Sequence, residues 1–171
     1  MWPVGSLRRM VKPLQRARYR RRVLRTAASC GPELKVNGLT IVNRQTQLGR
    51  NVNFNGLEVA GRGKVVIGDN FHSGPGCLLI TQMHNYDTGK AIPYDDTYVL
   101  NEIAIGDNVW LGSRVIILGN VTIGEGAIIQ AGSCVVTDIP MCAIAGGHPA
   151  KVFKYRDVDH YEALKATGQF H

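Results

Sequence analysis

Aliphatic residues recur at every sixth position between residues 105 and 135. They are Ile105, Leu111, Ile117, Ile123, Ile129 and Val135. The fifth position of each of these hexads is small or β-branched, as at Val109, Val115, Val121, Ala127, Ser133 and Ile139. A period of six fits neither the 3.6-residue repeat of a helix nor the simple two-residue alternation of a strand. It is typical of stacked coils with three short strands per turn, so the sequence predicts a parallel β-helix.

The same pattern starts earlier and is interrupted. Earlier hexads begin at Leu48, Phe54, Ile67, Ser73 and Leu79, with a slip near residues 60–64. Leu79 and Ile105 lie 26 positions apart, which is not a multiple of six. The residues from about 84 to 101 must therefore leave the coil as a loop. Insertions in solenoids gather at the binding face, and this one concentrates polar and aromatic side chains, namely His84, Tyr86, Asp87, Tyr94, Asp95, Asp96 and Tyr98.

Composition and charge divide the chain into three parts. We expect a basic N-terminal arm over 1–30, a β-helix over 31–150 with its loop at 84–102, and a tail over 151–171 with a short polar helix that ends near Gly168.

The 44% hydrophobic content of the 171 residues can fill one core. No apolar stretch is long enough for a membrane span or a signal peptide. Four cysteines without paired spacing favour a reducing cytoplasm.

The net charge of +7 originates in the arm. Nine of the 20 basic residues and none of the 13 acidic ones fall within residues 1–29, which leaves the remainder at −2. This split disfavours a nucleic-acid surface across the whole domain. The arm has apolar residues at helical spacing, although Pro13 is expected to kink or end a helix there. We expect the arm to cap the first coil, and peripheral contact with an anionic membrane is the alternative.

Outward positions on the coil predict a contact between subunits. Residues 18 apart stack on consecutive turns, so Trp110 lies beside Ile128 on one face and Ile116 beside Cys134 on the next. Stacked apolar residues form a stripe that a soluble monomer rarely exposes. Burial against a second copy of the chain explains it.

Several motifs together carry a family resemblance. The hexads, the His84 loop, the stretch from Gly106 to Ser113 and the tail from Gly147 to Val152 resemble the hexapeptide-repeat acyltransferases, most closely the maltose/galactoside and polysaccharide O-acetyltransferases. The resemblance covers about residues 36–156. It implies a left-handed β-helix, a homotrimer, and acetyl-CoA held between neighbouring subunits. The left hand comes from the resemblance alone, because ordinary crossovers are right-handed.

His84 is the candidate catalytic residue. It ends a repeat hexad at the start of the loop, and its position matches the family's catalytic histidine. An imidazole titrates near neutral pH, so it can take the proton of an acceptor hydroxyl and return it to a thiolate. Asp87, Glu102 or a backbone carbonyl could fix its tautomer, and the sequence does not choose among them.

The resemblance also assigns residues to the two substrates. For acetyl-CoA it implies six contacts: Trp110, Ser113, Ala131, Thr137, Lys151 and Lys154. Lysines can neutralise the nucleotide phosphates as point charges. For a sugar or glycan acceptor it implies Asn53, and the polar loop adds Asp87, whose carboxylate can accept hydroxyl donors.

Other functions stay open at this point. Amino-sugar, serine and antibiotic acceptors would suit the same family. A carbonic anhydrase of the same fold would need three zinc-binding histidines, and only His72 and His84 lie in the relevant region. We therefore expect no metal. A non-catalytic scaffold would keep the hexads without needing His84 and Trp110 together.

Overall fold

Two helices flank a solenoid of short strands. The computed structural model describes the backbone of residues 4–171 and the side chains of residues 13–171. Helix α1 spans Val4–Thr26 and helix α2 spans Val158–Ala166. Neither helix of this described part is long and apolar enough to cross a membrane.

The strands form three parallel faces around one core. Face 1 contains β1 (Ser29–Cys30), β3 (Thr46–Leu48), β6 (Val65–Ile67), β11 (Ile103–Ile105) and β14 (Val121–Ile123). Face 2 contains β2 (Lys35–Val36), β4 (Asn53–Phe54), β7 (His72–Ser73), β12 (Trp110–Leu111), β15 (Ile128–Ile129) and β17 (Ala143–Gly147), with β18 (Ala150–Tyr155) antiparallel to β17. Face 3 contains β5 (Leu57–Ala60), β8 (Cys77–Ile80), β13 (Ile116–Leu118) and β16 (Cys134–Val135).

Strand register confirms the predicted coil. Trp110 pairs with Ile128, 18 residues on, as expected for three hexads per turn. The predicted first residues of the hexads from Leu48 to Val135 all point inward and are buried. Pairing starts at Ser29, slightly before the expected boundary of the β-helix, and β18 continues to Tyr155.

Every turn at the corner between faces 1 and 2 passes through a residue with positive φ. These residues are Glu33, Asn51, Asn70, Asn108, Gly126 and Cys142. Asparagine tolerates this left-handed conformation better than most residues. The Asn51 amide donates to Asn70 Oδ1 at 3.0 Å, and the Asn70 amide donates to Asn108 Oδ1 at 2.9 Å. These three side chains form an asparagine ladder that connects successive turns.

Helix α2 continues the ladder. The Asn108 amide donates to the Tyr161 hydroxyl at 2.8 Å, and that hydroxyl donates to Glu125 at 2.8 Å. A Cβ at Gly126 would lie 2.9 Å from the Tyr161 ring, so glycine leaves the space that the ring occupies. Asp157 caps the helix by accepting from the His160 backbone N–H, and the predicted end near Gly168 is confirmed.

The N-terminal helix closes the first coil, as expected for a cap. Val23 is completely buried, and Tyr19 and Ala27 pack beside it against the core. Arg20 Nε donates to the carbonyl oxygen of Leu34 at 3.0 Å. Pro13 lies inside α1, so of the two expected outcomes, a kink or an end, the helix does not end there. One proline removes a single helical hydrogen bond, and the turns on either side continue past it.

Candidate active site

The predicted loop is a β-hairpin that leaves the coil between faces 3 and 1. His72 pairs with Trp110, 38 residues away instead of 18, so the insertion adds 20 residues. Strands β9 (Gln82–His84) and β10 (Tyr98–Leu100) pair antiparallel at its base, with His84 opposite Tyr98. The coil resumes at Asn101, whose N–H donates to the Thr81 carbonyl oxygen at 2.9 Å. The insertion thus places His84 where the hairpin joins the solenoid.

Two tyrosine rings contact the half-buried imidazole of His84. The Tyr94 ring stacks on it with centroids 3.8 Å apart and planes 18° apart. The Tyr98 ring lies 4.7 Å away at a tilt of 38°. His84 Nδ1 is buried and has no hydrogen-bond partner within the described part of the chain, so in a single chain neither Asp87, Glu102 nor a backbone carbonyl fixes its tautomer.

Asp95 fixes the turn that carries Tyr94. Its carboxylate accepts the backbone N–H of Lys90 at 2.8 Å and that of Thr97 at 2.9 Å, as well as the Thr97 hydroxyl. These hydrogen bonds, the Thr97 hydroxyl above all, hold the pKa of Asp95 below its usual range. The predicted acceptor residue Asp87 is exposed in the same hairpin. Sequence analysis missed the roles of Tyr94 and Asp95, because they depend on how the hairpin folds back.

Three of the six predicted acetyl-CoA residues line one groove. Trp110, Ser113 and Ala131 meet there on consecutive turns, at the corner between faces 2 and 3. The groove is completed by Gly74, Gly112, Ile128, Ile129, Gln130 and Ile144. Its side chains are small or apolar apart from Gln130 and Ser113. Such a lining can take a long, thin, weakly polar chain.

The other predicted residues lie around this groove or away from it. Lys154 on β18 is paired with Ile144, which lines the groove, and Lys151 is paired with Gly146. Thr137 is exposed in the turn after β16, at the corner between faces 3 and 1. Asn53 lies on face 2 in register with His72, and it accepts a hydrogen bond from the Asn37 amide at 2.9 Å.

The histidine and the groove occupy different corners of the same coil. His84 belongs to the hairpin between faces 3 and 1, whereas Ser113 and Ala131 lie between faces 2 and 3. Face 3 separates them within one chain.

Comparison with known proteins identifies the family to which this architecture belongs. The model of the bacterial transferase hexapeptide family (six repeats) matches residues 103–137. A solved structure of a galactoside acetyltransferase in complex with coenzyme A superposes with a TM-score of 0.67 at 33% identity, covering 78% of this chain and 68% of that one. This chain belongs to the hexapeptide-repeat acyltransferase family. Its fold is the left-handed parallel β-helix of that family.

Curated relatives agree with this family assignment. The galactoside O-acetyltransferase of Escherichia coli is 37% identical over 119 residues, which cover 67% of this chain and 57% of the relative. The chloramphenicol acetyltransferase of Klebsiella aerogenes is 32% identical over 117 residues, covering 59% of this chain and 56% of the relative. The chain spans about half the length of the curated relatives it matches.

Proposed function

We propose that the protein transfers an acetyl group from acetyl-CoA to a hydroxyl group of a sugar or glycan precursor, with His84 as the general base. The placement of His84 carries this proposal: a half-buried imidazole lies between tyrosine rings, at the base of the one long insertion in the described coil. The galactoside acetyltransferases among its relatives support the choice of a sugar hydroxyl as acceptor.

The reaction needs one proton to move twice. The His84 imidazole takes the proton of the acceptor hydroxyl as its oxygen attacks the thioester carbon. The C–O bond forms, and the resulting tetrahedral intermediate collapses with cleavage of the C–S bond. The imidazolium then returns the proton to the departing CoA sulfur, so the histidine ends as it began.

The groove suits the thioester arm of acetyl-CoA. Trp110, Ile128 and Ile144 stack along face 2 and offer an apolar wall, while Ser113 and Ala131 keep the corner narrow. Lys154 pairs with Ile144, and Lys151 lies nearer the turn between β17 and β18; both lysines are exposed. Their charges can pair with the nucleotide phosphates at that end of the groove.

The acceptor is expected beside the hairpin. Tyr94 and Tyr98 contact His84, which leaves Tyr86 and Asp87 exposed for a ligand. An aromatic face can contact sugar C–H groups, and the Asp87 carboxylate can accept hydroxyl donors. Asn53 lies on face 2, which does not border this corner, so it would contribute from a neighbouring copy. An amino-sugar, serine or antibiotic acceptor would use the same base and donor, and the chloramphenicol acetyltransferase among the relatives keeps that alternative open.

A homotrimer would complete the site. His84 and the groove are at different corners, so two neighbouring copies would each supply one half. Trp110 is 53% exposed in the single chain and stacks with Ile128 and Ile144, which gives an apolar stripe suited to a subunit contact.

Release of CoA from acetyl-CoA in the presence of a panel of sugars, nucleotide-sugars, amines and chloramphenicol tests the function. We expect turnover with a hydroxyl acceptor, and a decrease of about two to four powers of ten in His84→Ala. His160→Ala is the matched control, because His160 is an exposed residue of α2 away from the groove. A His84→Ala protein with more than a third of the wild-type turnover would refute the assigned base, and an amine as best substrate would refute O-acetylation.

A further inference from the structure

Helix α1 has an inner face and an outer face. Val23 is buried in the core, whereas Leu14 is 74% exposed. These two residues are nine positions apart, which is two and a half turns of an α-helix, so they point in opposite directions. Arg18, Arg21 and Arg25 follow Leu14 at helical spacing and share its side of the helix. We call Leu14, Arg18, Arg21 and Arg25 the outer face of α1.

The arginines of this face are not neutralised within the described part of the chain. All three are exposed, and the ion pairs there join Arg50 to Asp69 and Lys165 to Glu125. The first acidic residue of the whole sequence is Glu33, after the helix has ended. Like charges four residues apart, such as Arg21 and Arg25, destabilise a helix slightly. Helix stability therefore does not explain why the arginines are concentrated here.

Exposed leucines lie among the arginines. A groove beside the helix is lined by Arg18, Arg21, Arg22, Arg25 and also by Leu39 of the first coil. Leu39 and Leu14 are both more than half exposed. A nucleic acid or a free polyanion would pair with the arginines but gain nothing from the leucines. Helices that lie on membranes combine both kinds of residue, with cations at the phosphates and apolar side chains at the acyl boundary.

We propose that the outer face of α1 binds the surface of an anionic lipid bilayer. Arg18, Arg21 and Arg25 would contact lipid phosphates, while Leu14 and Leu39 enter the headgroup region. The inner face keeps its contact with the first coil, because Val23 and Tyr19 point the other way. One helix thus closes the solenoid and attaches it to a membrane.

Sedimentation of the full-length protein with lipid vesicles tests this proposal. We expect binding to vesicles that contain phosphatidylglycerol, little binding to pure phosphatidylcholine, and release as salt is raised from about 0.05 to about 0.5 M. The triple variant Arg18→Gln, Arg21→Gln, Arg25→Gln should bind roughly a hundredfold more weakly, since each cation near the surface contributes roughly fivefold.

Two further variants separate binding to lipid from nonspecific attraction between charges. Arg44→Gln, Arg62→Gln, Lys64→Gln removes the same charge from the solenoid and should bind like the wild type. Equal loss in both triple variants would mean nonspecific attraction and would overturn the proposal. Leu14→Gln should weaken vesicle binding several-fold while retention on a heparin column stays unchanged. Undiminished vesicle binding by Leu14→Gln, or no vesicle binding by the wild type, would equally overturn it.

Discussion

The His84 imidazole is held by contacts of its ring with two tyrosine rings. The Tyr94 ring lies parallel to the imidazole, and Nδ1 has no hydrogen-bond partner in the described part of the chain. Many catalytic histidines are oriented by a carboxylate or a carbonyl at this nitrogen. In this single chain the Tyr94 ring limits the tilt of the imidazole, and no group donates to or accepts from Nδ1 within the described residues. In the proposed reaction, the positive charge on the protonated ring would form against an aromatic face that attracts it.

Replacement of Tyr94 tests this stacking. Tyr94→Leu should lower kcat by roughly three- to thirtyfold, because the imidazolium loses its aromatic neighbour, and KM for acetyl-CoA should change little. Tyr94→Phe keeps the ring and should retain most of the activity. Steady-state kinetics of the two variants provides the measurement. Equal losses of kcat in both would indicate that the hydroxyl matters instead of the ring.

Single residues differed in how far the sequence could place them. His84 was found because it stands where a strict period breaks. Its partner Tyr94 lies ten positions away in a segment without periodicity, and a turn organised by Asp95 brings the two rings together. Local spacing contains no signal for that contact. The catalytic role of His84 and the acceptor roles of Asn53 and Asp87 stay predictions, since no bound substrate defines them.

Among the elements, α2 is fixed to the solenoid by a polar cluster. Lys165 Nζ lies 2.6 Å from Glu125 Oε1, and Tyr161 donates to the same oxygen. Burial raises the pKa of Glu125, but the hydrogen bonds from Lys165 and Tyr161 outweigh it and leave the pKa below its usual range. The short polar helix and its end were predictable from Asp157 and Gly168, whereas the surface it covers was not, because Glu125 lies in a distant hexad.

Acidification should loosen this attachment. A carboxylate whose pKa is lowered on folding stabilises the folded state above its unfolded pKa, and this contribution is lost as the pH falls through the folded value. We expect Glu125→Gln to cost about 1 kcal/mol at pH 7, since the cluster is partly solvated. The melting temperatures of variant and wild type should converge below about pH 4. Glu162→Gln, on an exposed position of α2, is the control, and a difference that persists at low pH would contradict a stabilising role for the Glu125 charge.

At the level of the whole molecule, the apolar stripe on face 2 is the feature that a single chain leaves partly exposed to solvent. Trp110, Ile128 and Ile144 stack in register along the coil. The hexad period predicted the coil, its slip and its insertion, because each turn repeats the same packing rule. The hand of the coil required the family comparison, since the period is identical for either hand.

A charge on this stripe tests the proposed trimer. Ile128→Glu would bury an unpaired carboxylate at the subunit contact, at a cost of several kcal/mol. We expect monomers or aggregates by light scattering. Transferase activity should also be lost, but Ile128 lines the groove as well, so the oligomeric state is the measurement that tests the contact. Val158→Glu places the same charge on the exposed start of α2 and should leave assembly intact. A trimeric Ile128→Glu protein, whether active or not, would place the contact on another face.

The C-terminal segment gives the solenoid contacts between turns that are not neighbours, which the repeats alone lack. Coils that contact only their neighbours tend to unfold in pieces. Here Tyr161 and Lys165 hold the turn of Glu125, while the His171 carbonyl oxygen accepts from Asn51 and the Phe170 ring lies 5.9 Å from the Arg50 guanidinium. The segment therefore contacts the first and last of four consecutive turns, three of which the asparagine ladder joins, while Tyr161 links the fourth. Opening any one of these turns would disturb contacts with the same segment, so we expect the four turns to unfold together rather than one by one.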